Sequence, residues 1–417
     1  MAEVRDPERR FYQYIVVGCG GVGSATVYWL SKRVGSDVLG IEQFHIGHDN
    51  GGSQDHSRII RLAYHDDRYT KITPDTYTAW EEVEKESGIQ LVYHTGGIKF
   101  AKKNELGHVI DQYAEAMSKH GIKYERLTGS QLHEKYPQFE TDDSYTALYE
   151  EKAGLVDAAM SISVQIQLAR AHGASVIDNC PVRRIDKAPN GHIMVYTANG
   201  IYQCRRLLVT SGAWINNVLQ SIGVHVPIYV TQEQVSYFAT PHVKEFTKEK
   251  YPIWIYHGSD RDYYGLPSHG NSGSKCGIEM GGVVVTPETR TYIPDPVREK
   301  YVTDFLKETI PRSLGPIMYT KTCLYTMPKD RHFVVDHCGK MRPGWDNVIV
   351  CNGAGHCFKF SCLLGKILSE MAVDGKTQYD VSNFNIDRPA ITQPGWTPEM
   401  YSETGGKVPV GAPTSKL

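Results

Sequence analysis

The hexad Gly18-Cys19-Gly20-Gly21-Val22-Gly23 constrains this chain more than any other stretch. It reads G-x-G-x-x-G and directly follows the apolar run Tyr14-Ile15-Val16-Val17. A helix-like segment, 24–32, comes next. A second apolar run, Val38-Leu39-Gly40-Ile41, then ends in Glu42, about 20 residues past the hexad. The first glycine permits a tight turn, and the second lets backbone approach a pyrophosphate. The third lets helix and strand pack closely, and the helix N-terminus attracts the phosphate charge. Such a hexad alone is a weak signal. With strand, helix and terminal acid in register it predicts a β-α-β unit holding a dinucleotide, with Glu42 accepting hydrogen bonds from a ribose.

The 417 residues suffice for a large core and two domains. Hydrophobic residues at 41% and charged residues at 22% are ordinary for a soluble globular chain. A formal net charge of −2 gives no reason to expect nucleic acid or an anionic membrane as partner. No apolar run approaches the length of a membrane span. The charged segment 1–10 carries no apolar signal core, so secretion is not expected. The 9 cysteines are scattered, odd in number and without a C-x-x-C pair. They read as free thiols in a reducing compartment, with no disulfide framework and no metal site. The terminal Ser415-Lys416-Leu417 is a peroxisomal address read by an import receptor, and the Pro-, Gly- and Thr-rich stretch 392–413 would present it on an exposed, flexible tail.

Organisation beyond the hexad is segmented. Residues 46–57 form a Gly-, His- and Asp-rich loop. Helices are expected over 76–88, 107–120 and 158–170, and a strand over 94–100. Short strands at 175–177, 193–196 and 207–210 return to the nucleotide-like pattern, closed by Ser211-Gly212-Ala213-Trp214. Residues 225–320 alternate strand-like runs with turns, such as Tyr263-Tyr264-Gly265-Leu266-Pro267, and predict an antiparallel sheet. A buried strand at 347–353 leads into a helix over 358–373. The expected fold class is α/β with an α+β insertion: a Rossmann-like domain built from separated segments, with a second, antiparallel-sheet domain inserted.

Three further blocks narrow the chemistry. They are Ser57-Arg58-Ile59-Ile60-Arg61 with Ala63-Tyr64; Cys323-Leu324-Tyr325-Thr326 with Asp330-Arg331-His332-Phe333-Val334-Val335-Asp336; and Gly355-His356-Cys357-Phe358-Lys359-Phe360. With the hexad and the 211–214 block, the chain resembles the monomeric sarcosine oxidase and pipecolate oxidase family of FAD-dependent amine oxidases, from about residue 12 to residue 390. The resemblance implies FAD-binding segments 1–90, 153–220 and 321–390, substrate-domain segments 91–152 and 221–320, a tail from 391 to 417, and a monomer.

By resemblance, Cys323 carries FAD covalently as a thioether, whereas composition alone reads it as a buried free thiol. The resemblance places Gly18, Gly20, Val22, Gly23, Glu42 and Gln43 around the adenosine and phosphates, with Val182, Ser211, Gly212 and Trp214 nearby. It places Ser57, Arg58, Gly353, Gly355, His356, Phe358 and Lys359 around the flavin. The expected helix start at 355–357 would aim N–H groups at a ring that becomes negative on reduction.

Arg61 and Lys359 are implied to grip a substrate carboxylate, which a guanidinium matches as a planar fork. Lys275 is implied to assist the reaction with O2, Arg58 to lie near the flavin, and Tyr264 and Tyr325 to line the pocket. Taken alone, Lys275 reads as a turn lysine and Tyr264 equally as core packing.

The chain also departs from its relatives. Glu279 stands where they usually have histidine, leaving open a cationic substrate side chain or a nearby lysine as its partner. Gln54-Asp55-His56 replaces a histidine-bearing run, and Gly353-Ala354-Gly355 lacks a bulky aromatic. These changes fall around the substrate and spare the flavin anchors. The implied activity is oxidation of a secondary amine, or an N-substituted or cyclic amino acid, by O2 to imine and hydrogen peroxide. The alternatives are an NAD-dependent dehydrogenase and a non-catalytic flavoprotein binding factor.

Overall fold

In the computed structural model the described residues are 10–64 and 66–396. The hexad is built as its pattern requires. Strand Phe11–Val17 runs into helix Gly21–Val34, and strand Val38–Ile41 lies parallel beside the first with Val16 opposite Gly40. Gly18 has φ 89°, and a Cβ there would sit 2.7 Å from the Ser211 Cα. A Cβ on Gly23 would fall 1.7 Å from the Gly18 carbonyl oxygen, so only glycine lets the helix start this close to the strand.

Around this unit forms an 8-stranded sheet. Strand Gly200–Val209 flanks Phe11–Val17 in parallel and is itself flanked, again in parallel, by Val348–Asn352. Ser175–Ile177 extends the other edge. Buried on both faces, the central strands read as continuous apolar runs rather than alternating ones. Helices Gly21–Val34, Ala158–Ala171 and Ser361–Asp374 cover one face. Gly365 lets two of them touch: a Cβ there would lie 2.5 Å from the Ala25 Cβ.

A 9-stranded sheet forms the second layer. It takes Gly97–Lys102, Glu125–Thr128 and Tyr145–Glu150 from one stretch of chain and Ile228–Phe238, Ile253–His257, Tyr263–Leu266, Ser274–Ile278, Val283–Val285 and Ile317–Pro328 from a later one. Its pairings are antiparallel except one: Ile253–His257 runs parallel to Gly97–Lys102, with Ile255 opposite Lys99. The strand Ile317–Pro328 pairs with Ile228–Phe238 almost end to end, so a division at 320/321 passes through a single strand.

Two local expectations need correction. The single strand at 94–100 is two strands, Val92–His94 and Gly97–Lys102, in different sheets. Gly96 breaks it, with φ 73° and Tyr149 packed where a Cβ would stand. The helix expected over 358–373 begins as a 3₁₀ turn, Phe358–Phe360, and becomes α-helical only at Ser361. The block around Arg58 forms strand Ser57–Ile60 in a 3-stranded sheet with Gly154–Asp157 and Val92–His94. Residues 397–417, including Ser415-Lys416-Leu417, lie outside the described residues.

Candidate active site

A cavity of about 450 Å³ lies between the two large sheets, within the range of small-molecule and cofactor sites. At one end Gly18, Gly20, Val22 and the start of the Gly21 helix form its wall, facing Val182, Ser211, Gly212 and Trp214. Gly21 donates its N–H to Ser53 Oγ at 2.9 Å. Glu42 accepts from Cys19 N at 2.7 Å and Phe44 N at 3.1 Å, and its Oε1 lies 3.3 Å from His48 Nε2. Gln43 is beside it on the wall. Two expected cofactor residues do not line the cavity. Gly23 sits behind the wall as the helix–strand contact, and Ser57 meets the site through its carbonyl alone.

At the other end a buried hub joins three chain segments. Lys275 Nζ donates to Asp55 Oδ2 and to the Ser57 carbonyl, each at 2.7 Å. Arg58 Nη1 pairs with the same Asp55 oxygen, Arg58 Nη2 donates to the Gly52 carbonyl at 3.1 Å, and Tyr237 Oη donates to the second Asp55 oxygen. Burial would raise the Asp55 carboxyl, but Lys275, Arg58 and the hydrogen bonds hold it well below the usual range. Burial pulls Lys275 down to about 8 against the attraction of Asp55. Arg58 stays charged, since Asp55 outweighs its desolvation.

Arg61 and Lys359 converge on one ring. The Arg61 guanidinium carbon lies 4.5 Å, and Lys359 Nζ 5.8 Å, from the Tyr64 ring centre. Both cations are buried and both line the cavity. Lys359 sits in the 3₁₀ turn, where Nζ donates to the His356 carbonyl at 2.8 Å and its own carbonyl accepts from Trp80 Nε1 at 2.9 Å. Gly353, Gly355, His356 and Phe358 are on the same wall. Gly355 needs φ 82° and leaves room for Tyr325, whose ring would be 2.8 Å from a Cβ.

Cys323 lines the cavity from strand Ile317–Pro328. Burial pushes its thiol up, with Arg58 pulling the other way. Tyr264 and Tyr325 also face inward, and burial holds both phenols neutral. Two partners of Glu279 lie among the described residues. Its Oε1 lies 3.3 Å from the buried Arg331, and its Oε2 accepts from Tyr325 Oη at 3.4 Å.

Sequence reasoning missed Asp55 as a hub, Tyr237, Arg331 and Ser53. Arg331 lay inside a block singled out for other reasons. Asp55 had been noticed only as a departure, because nothing local connects it to Lys275 or Tyr237. Among the described residues no group of three metal-ligating side chains is placed to hold an ion, and no helix is long and apolar enough to cross a membrane.

A sequence-family profile described as "FAD dependent oxidoreductase" matches residues 13–371. The chain belongs to this family. As an FAD dependent oxidoreductase it is 33% identical over 389 residues to the monomeric sarcosine oxidase of Arthrobacter sp., covering 92% of this chain and 98% of that one. It is 26% identical over 382 residues to N-methyl-L-tryptophan oxidase of Escherichia coli, covering 90% and 99%. Among solved structures, a mutant of NikD, titled an unusual amino acid oxidase essential for nikkomycin biosynthesis, superposes with a TM-score of 0.81 at 23% identity, covering 90% of this chain and 97% of that one. That likeness is one of fold.

The cavity fits FAD on its own features. The glycine turn leaves the space a side chain would fill, and the buried Ser211 Oγ on the same wall has no hydrogen-bond partner among the described residues. The cavity also continues from that turn to the cations at the opposite end, as an extended dinucleotide requires.

Proposed function

We propose that this protein oxidises the secondary amine of an N-substituted or cyclic amino acid, with O2 as acceptor and hydrogen peroxide as product. The observation that carries the reading is the convergence of Arg61 and Lys359 on Tyr64 at the inner end of an FAD-shaped cavity. A guanidinium and an ammonium brought together on one cavity wall suit an anionic group, and a carboxylate is matched by the guanidinium fork. The names of the two sequence relatives support an N-methylated amino acid as the substrate class. FAD, when bound, supplies the two-electron oxidation of the C–N bond and passes the electrons to O2.

The chain's own residues do the rest. Arg61 and Lys359 hold the carboxylate and fix the direction of the adjacent carbon, which removes orientational freedom from the reaction. Tyr264 and Tyr325 keep water out and surround the amine with aromatic surface, which favours its neutral form. Lys275, held as an ammonium by Asp55, offers positive charge where O2 gains electrons. Family membership over residues 13–371 removes the reason to favour an NAD-dependent dehydrogenase, and the oxidase names of the relatives weigh against a non-catalytic binding factor.

Cys323 is the attachment point for FAD in this reading, supported by its place on the cavity wall, where Arg58 offsets part of the upward push of burial on its thiol. The protein acts as a monomer, as the name of the Arthrobacter relative supports. It resides in the peroxisome, addressed through an import receptor by Ser415-Lys416-Leu417.

Two experiments test this. Purified protein is mixed without oxygen with sarcosine and a panel of N-methyl and cyclic amino acids. Bleaching of the yellow colour by at least one is expected, and no bleaching by any rejects the oxidase reading. Acid precipitation of wild type should carry the colour into the pellet, while Cys323→Ser should release it. Colour retained by the variant means that the attachment lies elsewhere.

A further inference from the structure

Three neighbouring strands present one face to the cavity. Cross-strand register places Leu266 opposite Lys275 in one row, and Ile255, Tyr264 and Gly277 in the next. The row after that is His257, Asp262 and Glu279, continued by the Glu279 N–H donating to the Asp262 carbonyl at 2.9 Å. All three of its members line the cavity. This polar row lies about 13 Å along the strand from Lys275, at the usual rise of a strand.

His257 is the unusual member. It is 1% exposed, and its Nδ1 lies 3.1 Å from Asp262 Oδ2. The other Asp262 oxygen accepts from Gly258 N at 3.2 Å, which fixes the carboxylate. The ring stacks on Tyr113 at 5.5 Å, which fixes the imidazole plane. Its Nε2 is buried and has no hydrogen-bond partner among the described residues. A carboxylate accepts only, so the proton between the two sits on Nδ1. In the neutral ring Nε2 is then an acceptor. Such pre-set, unpaired acceptors in an otherwise satisfied interior mark a place for a ligand group.

We propose that His257, oriented by Asp262 and flanked by Glu279, is a specificity subsite for a substrate side chain that ends in an N–H or O–H hydrogen-bond donor. This rests on the reading of Arg61 and Lys359 as the carboxylate grip and extends it. The row between Lys275 and His257, Ile255 and Tyr264, lines the cavity and suits an apolar or aromatic spacer leading to that donor. The favoured substrate class is therefore an N-substituted amino acid with a long or aromatic side chain tipped by a donor.

The test uses the FAD-loaded enzyme and two acids without an oxidisable nitrogen, 3-(4-hydroxyphenyl)propanoate and 3-phenylpropanoate, titrated by calorimetry. Wild type should bind the hydroxylated acid about tenfold more tightly. His257→Leu should bring the ratio to near one, and His257→Gln, whose side-chain oxygen can accept, should restore part of it. KM for N-methyl-L-tyrosine against N-methyl-L-phenylalanine should follow the same ratio, with kcat less affected. Equal binding by wild type, a preference that survives in His257→Leu, or failure of either acid to bind overturns the proposal. If the acids discriminate as expected yet no amine bleaches the protein, the subsite stands and the oxidase reading falls.

Discussion

Asp55 gathers two cations and a phenol around one carboxylate in the interior, so its removal leaves Lys275 and Arg58 without their counter-charge. Asp55→Asn should destabilise the fold by about 3–5 kcal/mol, read as a lower denaturation midpoint. It should also move the pH profile. With Lys275 at about 8, the rate of reoxidation by O2 falls in wild type as pH rises through that value and the ammonium is lost. Asp55 raises the Lys275 pKa, so the asparagine variant should lose its rate at lower pH. Stopped-flow reoxidation across pH 6–10 checks the direction, and an unmoved midpoint contradicts it. Lys275→Met should slow reoxidation far more than anaerobic reduction; equal slowing would remove the assigned role. Lys275, Arg61 and Lys359 were legible because each sits in a short block with a recognisable pattern. Asp55 and His257 were not, because their meaning comes from partners such as Tyr237 and Tyr113, brought to them only by folding.

Among the elements, the turn Phe358–Phe360 shows what apolar periodicity cannot separate. Apolar residues three or four apart suit a 3₁₀ turn and an α-helix alike, so the helix was expected to start early. The turn is held from outside by Trp80, whose indole donates to the Lys359 carbonyl. Trp80→Phe keeps much of the packing and loses that bond, for a cost of about 1–3 kcal/mol. A Tm lower by several degrees and a raised KM for a carboxylate substrate are expected; an unchanged KM would mean that the turn is fixed by other contacts. The strand Phe11–Val17 and helix Gly21–Val34 were readable from sequence because strand, glycine turn and helix are adjacent in the chain. The parallel pairing of Ile253–His257 with Gly97–Lys102 was not, since it joins stretches far apart, and neither run carries a signal of strand direction.

At the scale of the whole molecule, the cavity is formed by both large sheets, so FAD is part of what joins them. Anything that binds only the folded state stabilises it by mass action. In Cys323→Ser, Tm should therefore rise with added FAD, by the equivalent of about 2.7 kcal/mol at a hundredfold excess over Kd. Wild type should show no such dependence; a concentration-dependent wild-type Tm would contradict permanent attachment. The two-layer plan was legible because strand-like patterns changed character along the chain. The place where Cys323 belongs was not. Its strand is a full member of the 9-stranded sheet, although the residue lines a cavity whose glycine turn belongs to the other one.

That strand membership has a mechanical result. A ring anchored at Cys323 would ride with the wall that carries Lys275, Tyr264 and His257, whereas Lys359 follows strand Val348–Asn352 of the other layer. Breathing between the layers would then be felt at the carboxylate grip, as a change in the gap between ring and substrate.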